Sequence, residues 1–232
     1  MKKAAPQLWS DPRSLGRAFV ALSGAAIFGV VGCSVSGPPP AQYVLGPMPA
    51  ATPATLRQSG LPIVELKRVQ LPDYLDTTDI LERRGSELVP SSNGRWGERL
   101  SIGVSRALTA SLAARLPSMV VTATPPVERP TWQILVDVAA FEARADHNVV
   151  LVAHWSIVDG AHRQIHIAEE TSLVQPINGT DDNAIVQAMS HILEDLAERL
   201  AGAIEKDRRP AMDRRTVGDL GVHGAGATAG LT

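Results

Sequence analysis

Cysteine is nearly absent from this chain, with Cys33 alone among 232 residues. That excludes an intrachain disulfide and any multi-cysteine metal site. No phosphate-binding glycine loop, Gly-x-Ser-x-Gly elbow or His-Glu-x-x-His pair occurs. The usual signatures of nucleotide, acyl-hydrolase and zinc-protease chemistry are therefore missing, and Gly94-Arg-Trp-Gly97 is too short to stand in for a phosphate loop. An excess of positive charge is missing too. The net charge is −2, and because Lys2, Lys3, Arg13 and Arg17 outweigh Asp11 within the first 32 residues, the remainder stands at −5. A nucleic-acid module would show a basic face instead. Finally, there is no long apolar run. The longest apolar run, residues 18–32, is about 15 residues, short of the roughly 20 that span a bilayer.

The histidines and aspartates carry no clear site. His162 and His166 are four apart, which on a strand separates them by roughly 13 Å. His154 lies near His166 across an expected hairpin. Without a carboxylate or thiol partner in the pattern, these read as strand histidines, not metal ligands. Asp73, Asp76 and Asp79 form a turn-rich acidic stretch that lacks the glycine and closing glutamate of a calcium loop. Scattered Ser, His and Asp residues are no evidence of a triad. Neither a cofactor nor a metal is expected, and the chain reads as a non-enzyme.

What is present begins at the N-terminus. A cationic stretch precedes the uncharged run, the order of a secretory signal over residues 1–32. The run ends in Val30-Val31-Gly32-Cys33, which looks like a bacterial lipobox. A small residue lets a peptidase reach the backbone there, and the thiol accepts the lipid. Each buried methylene contributes about 0.8 kcal/mol, and more than one acyl chain anchors stably. Ser34 follows where Asp would tend to retain a lipoprotein at the inner membrane, so the resemblance implies the outer membrane. Gly37-Pro38-Pro39-Pro40 opens a tether, expected to be a semi-rigid spacer within residues 33–60.

Residues 61–205 read as one α+β domain, a two-layer sandwich with a mixed or antiparallel sheet and two long helices on one face. Strands are expected at Tyr43–Leu45, Leu61–Leu71, Ile80–Arg84, Glu87–Val89 and Ser118–Thr124. Thr131–Ala143 alternates with period two, placing Trp132, Ile134, Val136, Val138 and Ala140 on one face. Asn148–Val158 and His162–Val174 form a hairpin. A three-residue loop ending at a positive-φ Gly160 would set Ala153 against Ile165 and Leu151 against Ile167 and keep one face apolar. Leu100, Val104, Leu108 and Leu112 mark a helix over Arg95–Leu116, stopped by Pro117. Ile185, Met189, Ile192, Leu193, Leu196 and Leu200 mark a second from Asp182 to Glu205, capped by Thr180 or Asp181. Residues 206–232, charged and then rich in Gly and Ala, are expected to be disordered.

One stretch carries a family resemblance. Val69-Gln-Leu-Pro-Asp-Tyr-Leu-Asp76, then Ile80-Leu-Glu-Arg83, then Arg95-Trp96, with the early Tyr43-Val-Leu45, resemble the ABC-type transport auxiliary lipoproteins of the PqiC-like group. The resemblance implies a non-catalytic lipoprotein at the periplasmic face of the outer membrane. Its partners would be an MCE-domain tunnel protein and an inner-membrane permease in a lipid transport system that maintains envelope integrity. A ring-like homo-oligomer would match a tubular partner. Tyr43, Tyr74 and Trp96 are candidate partner-binding residues, whose ordinary role would be core or edge packing. The same anchor, tether and domain would also serve a regulator of a cell-wall synthase or an outer-membrane assembly factor.

Overall fold

The structure, a computed structural model, describes residues 39–46 and 60–220, with side chains as far as residue 208. Val30, Val31, Gly32, Cys33, residues 47–59 and residues 221–232 lie outside the described residues. The elements are β1 (Ala41–Tyr43), β2 (Ile63–Leu66), β3 (Asp79–Arg84), β4 (Glu87–Trp96), α1 (Leu100–Arg115), β5 (Val120–Thr122), β6 (Trp132–Arg144), β7 (Asn148–Asp159), β8 (Ile165–Pro176) and α2 (Asp182–Leu220). Among the described residues they form an open, mixed eight-stranded sheet with two helices, an α+β fold as expected.

The long strand β6 organises the sheet. One edge pairs antiparallel with β7, and β7 with β8. The other edge is shared end to end. There β2 pairs parallel with Trp132–Ile134, and β3 pairs parallel with Ala143 and Arg144. Beyond β2 lies β5, and beyond β3 lie β4 and β1. Between β2 and β3 the chain keeps contact with β6, donating Gln70 N–H to the Val136 carbonyl at 3.0 Å.

The helices cover one sheet face. Val104, Leu108 and Leu112 of α1, Ile192, Leu196 and Leu200 of α2, and Ile134, Leu151 and Ile157 of the sheet share one buried cluster. Each fully buried Leu or Ile contributes about 1.5–3 kcal/mol relative to exposure. The stripes expected for both helices are therefore core, and Asp181 is the α2 cap, its Oδ1 accepting the Ala184 N–H at 2.9 Å.

Several boundaries differ from expectation. β4 runs to Trp96, so α1 begins at Leu100 and not at Arg95. The Trp96 N–H donates to the Thr78 carbonyl and the Gly97 N–H to the Tyr43 carbonyl, both at 2.8 Å, which holds this stretch extended. In β6 a bulge between Val138 and Ala140 shifts the alternation. Phe141 and Ala143 thereby turn inward, and Ala140 leaves the apolar face.

The β7–β8 hairpin keeps the expected parity but not the expected register. Ala153 faces Thr171 and Leu151 faces Leu173. Val158 and Asp159 stay in the strand, and the Asp159 carboxylate holds the turn by accepting the Ala161 and His162 N–H groups at 2.8 and 2.6 Å. The positive φ falls on Arg163, at 57°, not on Gly160. Gly160 is needed for another reason, since a Cβ there would sit 1.8 Å from the Pro130 carbonyl oxygen.

Finally, α2 continues past Glu205. Asp207 Oδ2 accepts the Trp132 Nε1–H at 2.8 Å and lies 3.0 Å from His166 Nδ1, fastening this turn to β6 and β8. No described helix is long and apolar enough to cross a membrane.

Candidate functional site: the tether junction and the open sheet face

Two regions bear on function. The first is the junction where the chain arriving from the N-terminus enters the domain. β1 pairs parallel with β4, setting Tyr43 beside Trp96. Leu45 then inserts fully into the core, while Val44 stays 58% exposed. Polar contacts lock the backbone on both sides. The Leu45 carbonyl accepts from Arg106 at 3.0 Å, and Arg106 also bonds Glu98. The Gly46 N–H donates to Ser190 Oγ on α2 at 3.0 Å. Gly46 has φ of 73°, and a Cβ there would lie 2.7 Å from the Ala107 Cβ, so only glycine suits this corner.

The second region is the sheet face away from the helices. A trough of about 620 Å³ runs over it, lined by Arg68, Leu135, Asp137, His154, Ile165 and Glu170 among others. Asp137, His154 and Glu170 stand directly opposite one another on β6, β7 and β8. His154 Nδ1 lies 3.6 Å from Glu170 Oε2. Among the described residues no group of His, Cys, Asp or Glu is arranged to hold a metal ion. This row carries two carboxylates with a histidine between them, and Lys67 and Arg68 line the same trough.

The three aromatic candidates do not form one site. Trp96 is buried core and Tyr43 a half-buried neighbour of it. Tyr74 is 39% exposed, with the Arg83 guanidinium 5.5 Å from its ring centroid. Arg83 in turn pairs with Glu142, which is only 2% exposed and whose Oε2 has no partner among the described residues. The Tyr74, Arg83 and Glu142 stack is a packed ion pair under an aromatic lid.

Sequence reasoning passed over the structural roles of two acids. Asp76 Oδ1 accepts the Ser101 N–H at 2.9 Å and caps α1 from a loop distant in sequence, because Arg99 at the cap position offers no acceptor. Burial pushes the Asp76 carboxyl up, but the hydrogen bonds from Ser101 and the Arg99 charge outweigh it and hold it below its ordinary value. Asp207 follows the same pattern, with burial opposing and the bonds from His166 and Trp132 prevailing. Its partners lie too far away in sequence to be read from spacing.

Comparison with solved structures places the fold. A structure described only as an uncharacterized protein superimposes with a TM-score of 0.61 at 20% identity, covering 71% of this chain and 98% of that one. XCC0632 from Xanthomonas campestris matches with a TM-score of 0.56 at 15% identity, covering 74% and 99%. At such identities the likeness shows the fold alone. No functionally curated protein matches the chain. The family of ABC-type transport auxiliary lipoprotein components matches residues 43–201, from the tether junction to about halfway along α2. This is a transport-accessory family and not a known enzyme family. The chain belongs to the ABC-type transport auxiliary lipoprotein component family.

Proposed function

We propose that this chain is carried by acyl groups on Cys33 at the periplasmic face of the outer membrane, where it serves as a non-catalytic accessory subunit of an MCE-type, Pqi-like lipid transport system. The supporting observation is that the family match begins at Tyr43, the residue at which the described domain takes hold of the incoming chain. About eight residues separate Cys33 from Ala41, a contour of at most roughly 29 Å. The domain therefore sits close to the bilayer, within reach of a partner arriving at the membrane, and Val30, Val31 and Gly32 serve only to direct lipidation. An inner-membrane permease would take part through the tunnel protein and not by direct contact.

The test is in-cell crosslinking from the exposed residues Val44, Tyr74 and Leu135, followed by detergent extraction and identification of the adducts. An MCE-domain protein recovered from at least one position is the expected result. Adducts confined to a cell-wall synthase or a β-barrel assembly factor would overturn the proposal.

A further inference from the structure

The last strand of the sheet presents an edge that the other described elements leave unused. β8 is hydrogen-bonded to β7 along one side, and its other side has no partner among the described residues. From Ile167 to Gln175 its register with β7 is uninterrupted, so about four outward-pointing pairs of backbone N–H and C=O groups lie open. Edge strands are ordinarily short or blunted by charged side chains, lysine above all, by proline or by a bulge. This one is 12 residues long, carries no lysine or arginine, and has its bulge and its proline only at the two ends.

Its side chains say what it accepts. Glu169 and Glu170 occupy the middle, exposed, and Ile165 and Val174 toward the ends are each 61% exposed. Behind Glu170 stands His154, 3.6 Å away, and then Asp137, with Lys67 and Arg68 at the far side of the same trough, so the negative charge is concentrated at the β8 edge. We propose that the open edge of β8 takes up an extended, basic segment of a partner protein as an added strand. Glu169 and Glu170 would be met by lysine or arginine, and Val174 by an apolar side chain four residues further along the same face. Backbone pairing supplies the affinity in this mode and alternate side chains supply the selectivity.

A second copy of this chain fits the edge poorly. A face-matched two-fold pairing of two β8 strands near full overlap sets Glu170 directly or diagonally against Glu170 of the other copy, and opposed like charges are destabilising. The chemistry of the edge is the same whichever membrane carries the chain.

The probe is a short acetylated, amidated peptide alternating threonine and valine with two lysines at its middle, titrated against the purified full-length protein by fluorescence anisotropy. Hydrogen exchange on the β8 amides is followed in parallel. Binding is expected, with protection gained at alternate residues between Ile167 and Gln175. Glu169→Lys/Glu170→Lys, at exposed positions and with its melting temperature checked, is expected to weaken binding about fivefold or more. The same peptide with glutamates in place of the lysines is expected to bind correspondingly worse to the unaltered protein. Equal binding of both peptides, no binding at millimolar concentration, or protection gained only away from β8 would overturn the proposal. So would outward β8 amides already protected in the free protein, which would mean that its own chain or a second copy occupies the edge.

Discussion

Replacing Leu45 by alanine tests whether the domain truly begins at the tether junction. Leu45 is 1% exposed, packed among Trp96, Leu100 and the α1 backbone at Gly103. Leu-to-Ala changes in cores cost about 2–5 kcal/mol, the higher values arising where the surroundings cannot collapse into the cavity. Here the backbone is fixed on both sides, by Arg106 on the Leu45 carbonyl and by Ser190 on the Gly46 N–H. The cavity should stay open, and about 3–4 kcal/mol is expected. For a domain of this size, 1 kcal/mol shifts Tm by about 2–4 °C, so a fall of roughly 6–16 °C follows. The neighbouring exposed Val44 provides the control, since Val44→Ala should stay within about 0.5 kcal/mol. Thermal melts followed by circular dichroism would measure both. A Leu45→Ala protein that melts with the parent, or equal costs for the two substitutions, would refute a core role for Leu45.

Much of the fold is legible in the residues, and the misses have physical causes. The period-two run from Trp132 to Val138 and the stripes of α1 and α2 report burial directly, because one face of each packs against the core. The end of β4 was not legible. Pro90, Asn93 and Gly94 are poor strand formers, and Pro90 is tolerated because β1 pairs only from Gly94 onward, leaving Pro90 on an edge with no partner among the described residues. The bulge at Ala139 leaves no composition signal, since Ala139 and the Ala140 that follows it are alike in size and polarity. In the β7–β8 hairpin the alternation fixed which side chains face the core but not the loop length, which depends on the Asp159 carboxylate folding back on its own turn. The roles of Asp76 and Asp207 are long-range pairings that no local spacing encodes. Of the aromatic candidates, Trp96 was legible as core, whereas the Arg83 contact that marks Tyr74 was not.

Three further outcomes are expected. Asp76→Ala should cost about 1 kcal/mol by uncapping α1, and Asp76→Asn, which keeps an acceptor oxygen, appreciably less; urea denaturation together with exchange at the Ser101 amide separates the two. Arg83→Met should cost about 2–3 kcal/mol by leaving Glu142 buried without its counter-charge, whereas Arg83→Met/Glu142→Leu should recover most of that loss; a double mutant no more stable than the single one would contradict the assignment. Asp76 and Asp207 both have folded-state values below their ordinary 3.8. Their contribution is therefore complete above about pH 4 and is lost as pH falls through the depressed values. Melting temperature should drop on acidification below pH 4, and Asp207→Asn should make that drop shallower; an unchanged acid profile in this variant would count against the Trp132 and His166 pairing.

The central claim is that acylated Cys33 carries this domain to a membrane, and mass spectrometry of the mature N-terminus measures it most directly. The account predicts a first residue of Cys33 bearing a diacylglyceryl thioether and an N-acyl chain, with Cys33→Ser moving the protein out of the membrane fraction. An unmodified mature N-terminus, or a serine variant that stays with the membrane, would contradict it.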